Sequence, residues 1–383
     1  NNKGCLAYIT SNKWLKSAYG NQLRNFFLDK CNIIQLIDFK SLQVFKRASV
    51  DTSIVVLKKG SSNKVKACEI DDFEKYKNFE DTVNIESIEL DRDNLLSTWA
   101  ISHKDENLLL NKIKNLKNKI DLPRTKFRRG ITTGLNSVFL IDEKKKRELI
   151  KADKKNQFLI KKIVRGKNMY KYTYDKGLDY LLYIPWHFPI KDESINGASK
   201  KAELIFKKEY ASLYEYLANN KNALKKRNEE ETGIRYEWYA LQRPGTSFVS
   251  DFNQIKVGWM NMNRGWKFSL IDKDIFLEAS CNFIADNEYA KYLVGIYSSN
   301  LHKWYFKKVG RMFDDGGYMC KVDTISEFPV VKPSHKEKIK VEKLVDALIL
   351  SPNKKDEKYL DNYVYDLYRL SSKEKNIIDS INK

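Results

Sequence analysis

The order of apolar segments in residues 1–60 constrains the fold most. Gly4-Cys5-Leu6-Ala7-Tyr8-Ile9-Thr10 has the pattern of a core strand, and Leu15 to Leu28 places Tyr19, Leu23, Phe26 and Phe27 at helical spacing. Ile33 to Phe39 reads as a second strand and Lys40 to Ser49 as a loop. Thr52 to Leu57 is β-branched and apolar on both faces, as a strand covered by helices is. Strand, helix, strand, loop, strand is the closing half of a doubly wound α/β sheet, whose last two strands can form an antiparallel hairpin. The sequence enters this core strand at Asn1-Asn2-Lys3 without a methionine, so the chain is expected to be the C-terminal part of a longer protein.

Charge narrows the partners. The 383 residues carry 70 basic against 50 acidic side chains, a formal charge of +20. Such a field attracts polyanions, and nucleic acid is the commonest, because neutralised phosphates release counterions. A lysine-rich proteome whose surfaces drift basic is the other source of such a charge. The 42% hydrophobic fraction with 13% aromatics is that of a folded protein with room for two domains. No run approaches the roughly 18 apolar residues of a membrane span and no signal peptide is recognised, so a cytoplasmic bacterial or archaeal protein, without membrane contact, is expected. Cys5, Cys31, Cys68, Cys281 and Cys320 lack CxxC spacing and read as buried, reduced thiols. His103, His187, His302 and His335 have no metal-ligand spacing. Asp314-Asp315-Gly316-Gly317 is followed by too few ligands for calcium. Glu143-Lys144-Lys145 is half a nuclease pattern of the kind lysine-rich chains contain by accident. No metal is expected.

Residues 61–120 are polar, with strand-like Val65 to Ile70 and Val83 to Leu90. A helix is predicted from Lys104 to Ile120, with Leu108, Leu109, Ile113 and Leu116 on one face, as a strut between the opening sheet and the later residues. Beyond it the texture changes. Phe127-Arg128-Arg129-Gly130-Ile131-Thr132-Thr133-Gly134-Leu135-Asn136 leads into a predicted strand, Ser137 to Ile141. Glycines bracketing threonines behind two arginines can set amides and cations against a phosphate, although this spacing also suits an ordinary turn. Arg165, Lys167, Arg243, Arg264, Lys267 and Arg311 sit in Gly- or aromatic-flanked turns from which side chains reach a groove. Each alone is as readily a surface cation; together they predict a phosphate-facing surface. A helix is predicted from Ala202 to Arg227, and two amphipathic tail helices around Ser351-Pro352-Asn353.

These segments resemble, in order, a known family. "GCLAYITSNKWLKSAYGNQLRNFF", "IIQLIDF" and "VFKRASVDTSIVVLKK" are similar to the end of the catalytic domain of adenine-N6 DNA methyltransferases. "RRGITTGLNSVFLI" resembles the opening Gly-x-x-Thr-Gly-x-Asn turn of the TaqI-like specificity domain. "IKKIVRGKNMYKY", "YLLYIP", a helix ending Leu-x-x-Arg, "WYALQRPG", "QIKVGWMN", "KYLVGIYSSNLHKWYFKKVG" and "ISEFPVVKP" continue in register as far as Pro333.

The resemblance, to TaqI-like enzymes of the type IIG restriction–modification kind, implies an α/β fragment that ends a class I methyltransferase sheet (1–60). It places after this a linker with a strut helix (61–120), an α+β target-recognition domain (121–333) and C-terminal helices (334–383). It implies double-stranded DNA as partner and S-adenosylmethionine as cofactor of the full-length protein. It makes Phe45, in Val44-Phe45-Lys46, the aromatic that stacks on a flipped adenine, although spacing alone also allows a core role. Thr133 and Asn136 join Arg128, Arg129, Arg165, Lys167, Arg243, Arg264, Lys267 and Arg311 as DNA-contact candidates. The family's glycine-rich donor loop and its Asn/Asp-Pro-Pro-Tyr/Phe motif do not occur here, so this chain alone is expected to bind no cofactor and to be inactive. A stand-alone DNA-binding specificity module is the alternative, and RNA methylation a weaker third.

Overall fold

The computed structural model describes residues 4–40, 42–45, 50–61, 63–70, 72–73, 78–92, 99, 101, 104–190, 192, 194–313 and 316–381. Lys46, His103, Asp314 and Asp315 lie outside the described residues.

Strands β1 (Cys5–Ser11), β2 (Cys31–Asp38), β3 (Thr52–Lys59), β4 (Lys64–Glu69) and β5 (Ile88–Asp91) form a sheet in the order β1-β3-β2-β4-β5. The expected hairpin is present: β3 runs antiparallel to β2, and on its other side to β1. β4 joins β2 in parallel and β5 joins β4 antiparallel, so the sheet continues beyond residue 60 into the stretch read as a linker. The helix Asn21–Lys30 crosses between β1 and β2, and its Leu28 packs with Trp14, Leu36, Leu57 and Trp99. Arg24 on this helix is buried and donates to the carbonyls of Trp14 and Ser17, which fixes the turn after β1. β1 itself is an edge strand with exposed Leu6, Tyr8 and Ile9.

The rest of the chain is built around a second sheet, β12-β10-β14-β6, of β6 (Phe127–Arg129), β10 (Lys256–Met260), β12 (Phe268–Ile271) and β14 (Cys281–Ala285). Alternation along its strands sends Phe127, Val257, Trp259, Phe268 and Ile284 to one face. There they meet the helices Lys104–Lys114, Ala290–Tyr297 and Asn300–Val309 and the tail. Ile271 and Phe283 enter the other core, beside a third sheet, β13-β8-β9-β7. That sheet comprises β7 (Leu140–Ile141), β8 (Ile160–Val164), β9 (Asp179–Leu182) and β13 (Phe276–Leu277). A small pair, β11 (Met262–Asn263) and β15 (Tyr318–Met319), completes this mixed α/β architecture. Among the described residues no helix is long and apolar enough to cross a membrane.

Several local expectations are corrected. Val83 to Leu90 is split between a helix, Phe79–Glu86, and β5, because the Asn78 side chain caps the helix by accepting from the Asp81 amide at 2.8 Å. The predicted strut helix stops at Lys114. Ser137 to Ile141 is one helical turn, Asn136–Phe139, followed by the two-residue β7. The predicted helix Ala202 to Arg227 is three helices, Lys200–Glu209, Ala211–Ala218 and Lys221–Lys226, broken at Tyr210 and at Asn219-Asn220. The tail holds three helices, His335–Leu350, Lys354–Leu367 and Ser372–Ile381. Cys5 is exposed and Cys31 half-buried, whereas Cys68, Cys281 and Cys320 are buried thiols.

Candidate nucleic-acid interface

The Gly130–Asn136 turn is held from below and from behind. Its Gly130 and Ile131 amides donate to the carbonyls of Cys281 and Leu277, at 2.9 and 2.7 Å. A Cβ on Gly130 would lie 2.3 Å from the Glu278 carbonyl oxygen, so no side chain fits where these backbones cross. Thr133 is buried and donates its hydroxyl to Asn136 Oδ1 at 2.6 Å, closing the turn around Gly134, which takes the left-handed φ of +79°. Thr132 and Arg243 exchange backbone hydrogen bonds of 3.2 and 2.9 Å. Two predicted segments far apart in the chain thus form one surface.

Arg227, just past the helix Lys221–Lys226, holds this surface and was not among the predicted site residues. Its guanidinium donates to the carbonyls of Thr133 at 2.8 Å, Trp238 at 3.1 Å and Ala240, and lies over the rings of Phe139 and Tyr236. Burial pulls its pKa down to about 10, which leaves it charged at neutral pH. The Leu224-x-x-Arg227 ending of the resembling helix was the available signal.

The predicted cations share an arrangement that spacing does not reveal: acids hold several of them. Arg128 Nε meets Asp251 at 2.9 Å with its guanidinium over Phe248. Arg243 meets Glu231 at 2.8 Å, and this hydrogen bond is the main reason the Glu231 carboxyl lies below its usual range. Arg165 and Lys167 share Asp179, each at 3.4 Å. Arg311 meets Asp51, before β3, at 3.2 Å. Arg129 is exposed and donates from Nε to the Ala279 carbonyl at 3.0 Å. Arg264 is exposed in a turn whose Gly265 has φ +80°. Asn263 closes that turn through the Lys267 amide and carbonyl, while the Lys267 ammonium lies 5.8 Å from the Tyr170 ring centre.

Two concavities organise these groups. One, of about 570 Å³, includes Asn136, Lys144, Lys145, Arg165 and Asp179 in its wall. The other, of about 660 Å³, lies between the first sheet and residues 307–327. Asn12, Lys40, Asp51 and Glu69 bring the ends of β1, β2 and β4 and the start of β3 to its wall, and Lys307 and Arg311 face them. The carboxyl ends of parallel strands are where open α/β sheets bind ligands. Asn12 joins the loops there, donating from Nδ2 to Asp38 Oδ1 at 2.8 Å and to the Lys40 carbonyl at 3.2 Å. Phe45 follows β2 at this same end. It is 45% exposed, so it is not the core-filling side chain that spacing allowed, and its carbonyl accepts from Gln43 Nε2 at 3.2 Å.

Comparison with known proteins shows what the chain is similar to. Residues 1–45 match the Eco57I restriction-modification methylase family. Over an alignment 370 positions long that covers 87% of this chain and 36% of that protein, the chain is 25% identical to the type II restriction enzyme and methyltransferase RM.Eco57I of Escherichia coli. In fold it is similar to the type IIL restriction-modification enzyme MmeI, solved in complex with DNA. The TM-score is 0.58 at 13% identity, over 99% of this chain and 50% of that one. The chain therefore spans between about a third and a half of the length of these proteins. The chain resembles the restriction–modification methylases.

Proposed function

We propose that this chain is the C-terminal part of a site-specific DNA-adenine methyltransferase of the type IIG kind. Residues 121–333 read the target in double-stranded DNA, and the opening sheet borders the pocket for the flipped adenine. The observation that carries this reading is the cleft at the carboxyl ends of β1, β2 and β4. The basic later domain faces it, and exposed Phe45 stands at the same end of the sheet. Phe45 offers a flat wall for an unstacked base. The Gly130–Asn136 turn, Arg128, Arg129, Arg165, Lys167, Arg243, Arg264, Lys267 and Arg311 supply contacts to phosphates and base edges.

S-adenosylmethionine does not fit the residues present. Among the described residues no Gly-x-Gly turn follows a strand of the first sheet, and the edge strand β1 exposes Leu6, Tyr8 and Ile9 rather than a glycine-rich cradle. The donor site and the catalytic motif are assigned to an upstream portion that extends the sheet at β1. Exposed Leu6, Tyr8 and Ile9 support that assignment, since a long apolar edge strand is otherwise a liability.

The test compares two proteins on duplex DNA. The product of the complete gene should transfer labelled methyl groups from S-adenosylmethionine to adenine in one motif. Residues 1–383 alone should bind duplex and transfer none. Methylation by the 383-residue chain would overturn the division of labour. Binding of duplex by a complete product that never methylates would favour the stand-alone specificity module.

A further inference from the structure

The shared carboxylate of Asp179 is out of place on a surface that only grips phosphate. It adds nothing to phosphate binding and would repel it. Nor is it explained as a structural ion pair. Both its contacts, to Arg165 and Lys167, are long at 3.4 Å, and all three side chains are partly open to solvent. Such pairs contribute little to stability and exchange readily for another partner. The backbone around them is nevertheless firmly set. Asp179 opens β9 and sits across from Ile163 of β8, two residues before Arg165. Arg165 begins a turn in which its amide donates to buried Asn168 Oδ1 at 3.1 Å, and Gly166 packs so closely on Met260 that a Cβ would come within 2.8 Å of its methyl. A donor fork and an acceptor are therefore held side by side, on rigid elements, in the wall of a concave site.

We propose that Arg165 and Asp179 together read one G·C base pair from the major groove. The Arg165 guanidinium donates to guanine N7 and O6, and the Asp179 carboxylate accepts from the cytosine N4 amino group. In this pair the O6 acceptor and N4 donor are hydrogen-bonded neighbours, so an adjacent donor and acceptor on the protein meet both at once. An A·T pair fails the same test, because the adenine N6 amino group beside N7 would face the arginine fork donor to donor. Lys167, the most exposed of the three, turns to a phosphate when DNA takes its place on Asp179. This assignment rests on the DNA-reading function proposed above.

The experiment maps methylated motifs in cells carrying the complete gene as wild type, Asp179→Ala, Arg165→Ala or Lys167→Ala, with melting temperature measured on each protein. The wild-type motif should contain a G·C pair at which Asp179→Ala and Arg165→Ala both lose preference by about tenfold to a hundredfold. The remaining positions should be kept, and Lys167→Ala should lower methylation without changing the motif. If Asp179→Ala fails to fold, Arg165→Ala decides alone. An unchanged motif in the folded variants, at full or uniformly reduced methylation, overturns the assignment and leaves the DNA-reading function standing. A wild type that marks no motif removes both.

Discussion

Arg227 gives up water to hold the carbonyls of Thr133, Trp238 and Ala240, and it lies over the rings of Phe139 and Tyr236 in return. Replacing it by Met leaves those acceptors without a donor. Hydrogen bonds to a charged group contribute about 1.5–3 kcal/mol each, with losses that are not additive. Arg227→Met should therefore destabilise by about 3 kcal/mol, read as a lower urea midpoint, and should weaken DNA binding by loosening the Gly130–Asn136 turn. An unchanged midpoint would mean that the guanidinium costs as much to bury as it returns. Phe45 makes the opposite demand, because its exposed ring has little folded-state packing to lose. Stacking of a base on an aromatic side chain contributes about 1–3 kcal/mol. At 1.4 kcal/mol per decade, Phe45→Ala in the complete enzyme should slow methylation by about tenfold to a hundredfold with its melting temperature kept. Phe45→Tyr should retain most activity. Equal methylation by Phe45→Ala per folded molecule would remove Phe45 from the site.

At the scale of elements, the glycine of the turn after β6 and the histidine of the helix Asn300–Val309 allow direct tests. Gly130→Ala forces a Cβ to within 2.3 Å of a backbone oxygen and should cost about 1–3 kcal/mol, as overpacking does. Gly177→Ala, where the nearest atom is 3.4 Å away, should be nearly neutral in the same melt. His302 is enclosed by Trp266, Phe268, Tyr297 and Phe328, with Nδ1 on the Tyr297 carbonyl at 2.9 Å, and burial pulls its pKa down to about 3. The unfolded chain takes up a proton near pH 6.5 while the folded chain does not, so stability falls as pH drops from about 6.5 towards 3, by about 1.4 kcal/mol per unit. Asp361, raised by burial to about 6, acts in the opposite sense between pH 6 and 4. Comparison with His302→Gln isolates the histidine: between pH 7 and 5 the variant should lose about 2 kcal/mol less than wild type. Parallel loss in both proteins would contradict it. The hairpin of β2 and β3 was legible in the sequence because both strands are short, apolar and close in the chain. Ser137 to Ile141 was misread because so short an apolar run carries no period that separates one helical turn from a strand. The break at Tyr210 was missed although Leu204 and Leu213, nine residues apart, stand on opposite sides of one continuous helix, and Leu204 is exposed while Leu213 is buried. The cations of the candidate site were legible as types in turns. Their partners Asp251, Asp179, Glu231 and Asp51 were not, since only the fold brings those acids near.

For the whole molecule, a charge of +20 overstates what is ready to meet DNA, because acids hold Arg128, Arg165, Lys167, Arg243 and Arg311. DNA must displace a carboxylate from each cation it recruits. These exchanges are between partners that solvent still reaches, where each pair is worth about 1 kcal/mol or less, so they lower affinity without forbidding binding. Counterion release should still dominate, because every phosphate neutralised frees bound cations from the duplex. Affinity of residues 1–383 for a duplex should accordingly fall with salt on a logarithmic slope of about −0.9 per phosphate contact. Arg129 and Lys167 make a discriminating pair for the measurement. Arg129→Gln should remove a contact for which, among the described residues, no acid has to be displaced, and Lys167→Ala one shared with Asp179. Each should make the slope shallower by about 0.9, but Arg129→Gln should lose more affinity, since no carboxylate offsets its contribution. An affinity that stays constant from low to moderate salt would show that the basic surface does not meet phosphate. Unchanged slopes in both variants would place the contacts elsewhere on the chain.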